Sequence, residues 1–484
     1  MSLTAPLEQL LAQPEGKQLE FKRDLSSPQP LLKTLVAFAN TAGGQLIIGV
    51  ADNGEVIGVD DPLAEEERLA SLITDAIEPR LVPSIELFTL HGKTLMRVEV
   101  YLSSSRPHYL VKKGPEQGVV VRVGSSNRQA DPQLIEELKR QVMGLSFDAL
   151  PMPELSLDDL DYPAMQQAFG ATVELIENKL LTLKLLVKHQ GKLVPSRGAV
   201  LLFGLQRTLH FDDAWIQCGR FRGLNKVHIF DQTELHDHLP QAVHSIEQFL
   251  QKHAYKSAEF GGMQRVDHWS IPVTILREAI VNALVHCDYS QRGSPIRVAF
   301  YDDRIEIESP GLIMPGVTIE DMKRGVSVIR NPVIARVFRE LKLIEQWGSG
   351  IQRMFAESAE QGLPEPIIEE IANRLRIIIP LSQVHSVAQP PESVTQSVTQ
   401  SVTQSVTQSD NDYLLLRLLR NGPMASSELR AAMNLKHRKY FRTHQLDPAL
   451  AQGLIEMTIP DKPNSPLQKY RLTPAGAELI KDMS

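Results

Sequence analysis

The sequence lacks the features that mark several classes of protein. It has only two cysteines, Cys218 and Cys287, which stand far apart and outside any metal-ligand spacing. This excludes a disulfide scaffold and a cysteine zinc site, and it fits a reducing compartment. No apolar stretch approaches the roughly 18 residues of a membrane-spanning helix, and no basic segment followed by an apolar run opens the chain. We therefore expect a soluble, cytoplasmic protein without a membrane partner.

Two further absences narrow the functional classes. The chain has no Gly-x-x-x-x-Gly-Lys-Ser/Thr phosphate loop, so nothing in it supports a helicase motor. Its net charge of −7 argues against a uniformly basic nucleic-acid-binding protein, so such a contact requires a local basic patch. With 484 residues, of which 42% are hydrophobic, the chain is too long for one core and predicts several globular domains.

Pattern and composition divide the chain into five parts of a multidomain α/β and α+β protein. These are a mixed α/β domain, a connecting or scaffold region, a second α/β domain, a linker and a small α+β domain, at residues 1–145, 146–270, 271–382, 383–410 and 411–484. Within the connecting region, the apolar run at residues 199–204 predicts a buried strand.

The most informative stretch is residues 276–289. At helical spacing, Glu278, Asn282 and His286 share one face, and apolar residues occupy the opposite face. A carboxylate, an amide and an imidazole one turn apart can serve as a base for water, an oxygen for Mg²⁺ and a third polar contact. A solvated helix face is the alternative interpretation.

Signals of a phosphate site follow this helix. Residues 296–301 and 304–309 form an antiparallel hairpin pattern, which Ser309-Pro-Gly311 ends. Asn331 and Pro332 then start a helix as N-cap and first residue. Finally, the glycine turn at residues 348–350 precedes another helix, and backbone amides in such a turn suit a phosphate.

This order resembles the nucleotide-binding domain of the gyrase, histidine-kinase and heat-shock-chaperone ATPase superfamily, a Bergerat-type α/β sandwich. The version it resembles occurs in Schlafen-domain regulators that are sometimes called RecG-related ATP-dependent DNA helicases. The resemblance implies ATP and Mg²⁺ as ligands, with Glu278 polarising the attacking water and Asn282 coordinating the metal. It further implies nucleotide contacts by His286, Tyr289, Ser309, Gly311, Asn331, Gly348, Ser349 and Gly350. Ser309 replaces the superfamily's adenine-reading Asp, which puts adenine selectivity and catalytic rate in question.

The first domain carries a second resemblance. The motifs at residues 15–22, 39–50 and 121–125 resemble the Schlafen/Alba-type domain of bacterial regulators. In nuclease members of that group three acidic residues act on RNA, and the resemblance places them at Glu15, Glu20 and Asp52. A favoured turn residue at Asp52 and a surface charge at Glu15 are the alternative interpretations. Candidate phosphate contacts in this domain are Lys22, Arg23, Arg122 and Arg128.

The C-terminal part combines a repeat with a basic domain. Four copies of Ser-Val-Thr-Gln at residues 393–408 predict a flexible linker, although the valine spacing also allows a helical contact in a homo-oligomer. Residues 411–484 hold 11 Lys or Arg against 7 Asp or Glu, and their three helix and two strand signals predict a winged helix-turn-helix domain. Its candidate DNA contacts are Arg438, Lys439, Arg442, Lys462 and Lys469.

Three functional hypotheses follow from the sequence. The first is an ATP-binding, DNA-binding regulatory protein, acting in transcription or defence, whose nucleotide state is coupled to nucleic-acid binding. The second is a metal-dependent nuclease that cleaves RNA or DNA through the acidic trio, and the third is a non-enzymatic binding module with a degenerate nucleotide pocket.

Overall fold

A computed structural model describes residues 4–170, 173–254, 256–261, 264–269, 271–344 and 350–381, together with parts of 418–477. The chain forms two compact units, Met1–Gln389 and Pro390–Ser484. Among the helices that the structure describes, none has the length and apolar character needed to cross a membrane.

The N-terminal domain is built on a four-stranded sheet. Its strand order is Leu19–Lys22, Gly44–Ile48, Lys93–Val100 and Ser84–Leu90, in which the first two strands are parallel and the others antiparallel. The helix Pro28–Asn40 is buried along most of its length and supplies much of the domain core. The other helices and strands here are Thr4–Leu11, Pro62–Ala76, Ile77–Glu78, Tyr109–Leu110, Val111–Lys113, Gly114–Gln117, Val120–Val123, Ser126–Gln129 and Pro132–Val142.

A six-stranded sheet organises the rest of the first unit. Its strand order is His228–Leu235, Ile216–Arg222, Ile296–Phe300, Arg304–Pro310, Arg374–Pro380 and Ile367–Ile371. Two of these strands precede residue 271, so residues assigned by sequence to the connecting region belong to this sheet. The helices beside it include Leu239–His253, Val273–His286, Ile319–Lys323, Pro332–Glu340 and Gly350–Glu360. Other elements between residues 146 and 270 are Phe147–Ala149, Leu157–Asp159, Tyr162–Phe169, Glu177–Thr182, Leu186–His189, Lys192–Pro195, Arg197–Phe203, Arg207–His210, Lys256–Gly261 and Gln264–Trp269.

The strand predicted at residues 199–204 is wrong, because the structure has the helix Arg197–Phe203 there. Ser196 caps this helix, its side chain accepting a hydrogen bond from the backbone N–H of Ala199 at 3.1 Å. The residues from Gly198 to Phe203 are all buried. A fully buried helix has no polar face, so its sequence shows no helical periodicity and is indistinguishable from a buried strand.

The contacts between the N-terminal domain and the six-stranded-sheet domain include a buried ion pair and a backbone hydrogen bond. Glu137, on the helix Pro132–Val142, accepts a hydrogen bond of 2.7 Å from Arg330 Nε, and both residues are buried. The N–H of Gly316 donates to the carbonyl oxygen of Thr41 at 2.8 Å. These contacts fix the segment Gly311–Val317 against the N-terminal domain, and the side chain of Leu312 lies in a hydrophobic cluster of that domain.

The described part of the C-terminal unit contains a small sheet with the strand order Met424–Ala425, Lys469–Leu472 and Ile455–Met457. The helix Ser426–Ala432 follows the first strand. The Ser-Val-Thr-Gln linker and the predicted recognition helix at residues 437–445 lie outside the described residues. The winged helix therefore stays a prediction.

Candidate functional site

A cavity of about 340 Å³ lies between the helix Val273–His286, called here the polar-faced helix, and the six-stranded sheet. Further walls come from the segments Gly311–Val317 and 322–330 and from the start of the helix Gly350–Glu360. The predicted site residues that line it are Glu278, Asn282, His286, Ser309, Gly311 and Gly350. Residues separated by more than 70 positions in the sequence thus meet at one site.

Glu278 and Gly350 are in close contact at the cavity. A Cβ atom added to Gly350 would lie 1.6 Å from Glu278 Oε1, so any side chain at this position would displace the carboxylate from its present place. Arg353, one turn into that helix, donates from Nη2 to Glu278 Oε2 at 3.2 Å. The helix Gly350–Glu360 therefore both approaches the Glu278 carboxylate closely and holds it through Arg353.

Asn282 is oriented by the same carboxylate. Its amide nitrogen donates to Glu278 Oε1 and to the backbone oxygen of Glu278, each at 2.8 Å. Both bonds use the nitrogen, so the amide oxygen is left available as an acceptor or metal ligand. An amide oxygen beside a carboxylate suits Mg²⁺, which binds through one or two protein oxygens together with substrate phosphates.

Gly311 also lines the cavity, and it lies against the buried Arg330. Its φ is +106°, and a Cβ atom there would approach Arg330 Nη1 to 2.1 Å. The Arg330 guanidinium donates to the backbone oxygens of His286 and Leu312 at 2.8 and 2.7 Å, besides its bond to Glu137. Arg330 therefore ties together the polar-faced helix, the segment Gly311–Val317 and the N-terminal domain.

The described cavity wall carries an excess of positive charge. Burial, reinforced by the neighbouring Arg330, lowers the pKa of His286 to about 4, so this imidazole is neutral near pH 7. The charged side chains among the described lining residues are one carboxylate, Glu278, and three guanidinium groups, Arg330, Arg339 and Arg353. Arg330 and Arg353 are paired with carboxylates, so Arg339 is the lining guanidinium that, among the described residues, is left to attract an anionic ligand.

Two other residues predicted to bind the nucleotide, Tyr289 and Asn331, do not line the cavity. Tyr289 is buried behind the polar-faced helix and donates its hydroxyl to the backbone oxygen of Leu284 at 2.9 Å. Asn331 is fully buried, and its amide nitrogen donates to the backbone oxygens of Val285 and Cys287 rather than capping the helix that follows. Both side chains fasten the end of the polar-faced helix and do not line the cavity. Gly348 and Ser349 are outside the described residues.

In the N-terminal domain, Arg122 and Glu20 form a buried ion pair. Arg122 is 1% exposed, and its Nη2 lies 2.5 Å from Glu20 Oε2. It also donates to the backbone oxygen of Gly16 at 3.0 Å and to Asn127 Oδ1 at 3.0 Å. Lys22 makes a second ion pair with Glu20. These contacts give Arg122 a structural position in the domain, away from any ligand at the surface.

The acidic trio is not gathered into a metal site. Glu15 is exposed and accepts a hydrogen bond of 2.9 Å from the backbone N–H of Phe21, and Asp52 is exposed in the turn after the strand Gly44–Ile48. No cluster of three or more His, Cys, Asp or Glu side chains suited to a metal ion occurs in the part of the chain that the structure describes. The carboxylate of Glu20 is instead neutralised by its two ion-pair partners, Arg122 and Lys22.

Few of the predicted nucleic-acid contacts can be located at the surface. Arg23 and Arg128 are exposed on the N-terminal domain, and Lys469 is exposed on its strand in the C-terminal unit. Outside the described residues are Arg438, Lys439, Arg442 and Lys462.

Sequence reasoning missed the three arginines of the cavity. Arg330 stands directly before the Asn-Pro helix start. The one local signal that it is buried was its position directly after the apolar residues 328–329. Arg339 and Arg353 occupy ordinary positions on amphipathic helices, where an arginine usually faces solvent. Only the tertiary structure brings them to the cavity.

The fold and cavity define an α/β domain with an arginine-lined cavity between a helix and a sheet, joined to a separate mixed α/β domain. The family models agree with this division. Residues 293–379 match HATPase_c_4, described as "Putative ATP-dependent DNA helicase recG C-terminal", and residues 15–131 match Schlafen AlbA_2. The chain thus contains a Schlafen AlbA_2 domain and an ATPase-like domain, which suggest a nucleotide-binding, DNA-related protein. The ATPase-like match begins after the polar-faced helix, so Glu278 and Asn282 lie upstream of it.

A third model, the C-terminal domain of "Filamentation induced by cAMP protein Fic-like", matches residues 413–473. This range covers most of the C-terminal unit.

Comparison with solved structures gives further similarities. A crystal structure of a Corynebacterium diphtheriae protein is 19% identical, with 99% of this chain and 98% of that chain covered and a TM-score of 0.42. The N-terminal domain of a "Putative ATP-dependent DNA Helicase RecG-related Protein" from Nitrosomonas europaea is 30% identical, with 27% and 94% covered and a TM-score of 0.22. A Fic family protein from Desulfovibrio desulfuricans is 22% identical, with 30% and 28% covered and a TM-score of 0.13. No curated protein matches the chain significantly.

Proposed function

We propose that this protein is an ATP-binding, DNA-binding regulator, of transcription or of a defence response, in which the nucleotide in the cavity controls nucleic-acid binding. The observation that carries the proposal is the meeting of Glu278, Asn282 and Gly350 on the wall of an arginine-lined cavity. A carboxylate, an amide oxygen and a glycine helix start are the groups that a Mg²⁺-bound polyphosphate requires.

The phosphates would lie beside these three residues. Asn282 would hold Mg²⁺ through its free amide oxygen, and the metal, when bound, would neutralise the phosphate charge. Glu278 would orient and polarise a water molecule if ATP is hydrolysed. The base would lie toward Ser309, whose hydroxyl can donate or accept a hydrogen bond and so reads adenine less strictly than a carboxylate would.

Nucleic acid would bind at the two ends of the chain. Arg23 and Arg128 are exposed cations of the Schlafen AlbA_2 domain. The basic C-terminal unit would act as a winged helix, with Lys469 on a described strand and Arg438, Lys439, Arg442 and Lys462 completing the contact. We do not adopt the nuclease hypothesis, because Glu20 is buried between two cations.

Thermal unfolding of the full chain with and without ATP and Mg²⁺ tests the nucleotide half of the proposal. Saturating ligand, at about 100 times its dissociation constant, stabilises the native state by about 2.7 kcal/mol. Asn282→Ala should abolish the Mg²⁺-dependent part of this stabilisation. The exposed Asn178→Ala is the matched control and should keep it. If ATP and Mg²⁺ stabilised Asn282→Ala as much as the native chain, the assignment of this cavity as the nucleotide site would be wrong.

The nucleic-acid half is tested by the salt dependence of DNA binding. Each phosphate contact contributes close to one unit to the slope of the affinity against salt concentration on logarithmic axes, roughly 0.9 per contact. Removal of residues 411–484 should reduce this slope, measured by fluorescence anisotropy with a labelled duplex. An unchanged slope would show that the C-terminal unit makes no phosphate contacts.

A further inference from the structure

The last turn of the helix Pro332–Glu340 directs its charged side chains to different places. Arg336 donates to the backbone oxygen of Thr182 at 2.8 Å, and Glu340 forms an ion pair with Lys179. Both contacts are made with the region before the six-stranded sheet. Arg339 instead lines the cavity that contains Glu278 and Gly350.

The three guanidinium groups of the cavity differ in how their charge is compensated. Arg330 is paired with Glu137 at 2.7 Å. Arg353 is paired with Glu278 at 3.2 Å and with Glu357 at 3.7 Å. For Arg339, by contrast, the described residues provide no carboxylate within ion-pair distance. An exposed cation on the wall of a cavity, without a carboxylate, is placed to receive an anion from solution.

We propose that Arg339 binds the terminal phosphates of the nucleotide and makes the cavity select a nucleoside triphosphate over the nucleoside. This assignment rests on the proposed function and adds a contact that neither resemblance implied. Arg339 and Asn282 would then serve the same polyphosphate in two ways, since the guanidinium binds phosphate oxygens directly and the amide binds them through the metal. Arg353 keeps Glu278 in place and is a positioning residue.

The test is the affinity of the full chain for ATP, ADP and adenosine, each with Mg²⁺, measured by calorimetry for the native chain, Arg339→Ala, Arg339→Lys and Arg336→Ala. Loss of charge-assisted phosphate contacts should weaken ATP binding by about tenfold to a hundredfold in Arg339→Ala. Adenosine binding should not change. Arg339→Lys should recover part of the ATP affinity, because it keeps the charge but loses the planar fork. Arg336→Ala, three residues away on the same helix, should bind ATP as the native chain does.

Two results would overturn the assignment while the proposed function stands. One is an ATP affinity in Arg339→Ala equal to that of the native chain. The other is an equal loss for adenosine and ATP, which would mean that the substitution damages the cavity itself. A native chain that binds none of the three probes would instead refute the proposed function, and the role of Arg339 with it.

Discussion

The buried ion pair between Glu137 and Arg330 is one of the contacts that join the two domains of the first unit. Glu137 is 5% exposed and Arg330 is 8% exposed, so truncation of Glu137 removes the carboxylate that bonds Arg330 and leaves this buried charge with Asp288 as its weaker acidic neighbour. Such a loss costs about 3–5 kcal/mol. Arg330 would keep its two backbone acceptors in Glu137→Ala, which places the expected cost near the lower value, about 3 kcal/mol.

The effect should appear as local opening of the segment Gly311–Val317. The N–H of Gly316 donates across the domain boundary to Thr41, so its hydrogen exchange reports separation of the two domains at this point. A cost of about 3 kcal/mol accelerates exchange roughly 100-fold when closing is faster than exchange. Hydrogen-exchange mass spectrometry or NMR of the full chain measures this rate.

Two variants make the measurement specific. Glu136→Ala changes the preceding residue, whose exposed pair with Lys139 contributes less than about 1 kcal/mol, and it should leave the exchange of Gly316 unchanged. Glu137→Gln keeps an acceptor for Arg330 but removes the charge, so it should fall between Glu137→Ala and the native chain. An exchange rate in Glu137→Ala equal to that in Glu136→Ala would refute the reasoning.

Three further predictions concern single side chains. Below pH 6.5 the unfolded chain takes up a proton at His286 that the native chain resists until about pH 4, so the free energy of unfolding should fall by about 3 kcal/mol over that interval. Urea unfolding at a series of pH values should show this slope, and His286→Gln should flatten it. Gly350→Ala should push the Glu278 carboxylate aside and remove most of the ATP-dependent rise in melting temperature, with little change in the melting temperature without ligand. Arg122→Ala should lower the free energy of unfolding of the N-terminal domain by about 3 kcal/mol or more, as measured by urea unfolding. Arg128 is exposed, so Arg128→Ala should leave this free energy unchanged and lower only the affinity for nucleic acid, as measured by fluorescence anisotropy.

The part of the site predictable from sequence is the part with local periodicity. Glu278, Asn282 and His286 share a face because the helical repeat is fixed, and the structure places all three on the cavity. Gly311 and Gly350 could be predicted as site residues, because glycine is common in turns and where two segments approach closely. The predicted hairpin of Ile296–Phe300 and Arg304–Pro310 is confirmed. Its signal was also local, since an alternating pattern stands on both sides of a short turn.

The remainder depends on contacts between distant segments. The strand Ile216–Arg222 pairs in parallel with Ile296–Phe300 across 80 residues, and nothing local in either strand specifies the other. This pairing extends the sheet to residues before the predicted domain start. The position of Arg122 is equally non-local, because its burial depends on Glu20, 102 positions earlier in the sequence, being brought to it. Local sequence showed an arginine at a strand end, where exposure is the ordinary expectation.

The segment Gly311–Val317 links the proposed nucleotide site to the N-terminal domain. It forms a wall of the cavity, and it also bonds to that domain through Gly316 and packs against it through Leu312. The N–H of Ile313 donates to Glu370, the same carboxylate that pairs with Lys17 in the first motif of the Schlafen AlbA_2 domain. A ligand that shifts this wall must therefore alter contacts of the N-terminal domain. Thermodynamic linkage makes this coupling reciprocal. The factor by which bound nucleotide changes the affinity for nucleic acid at the N-terminal domain would equal the factor by which bound nucleic acid changes the affinity for nucleotide.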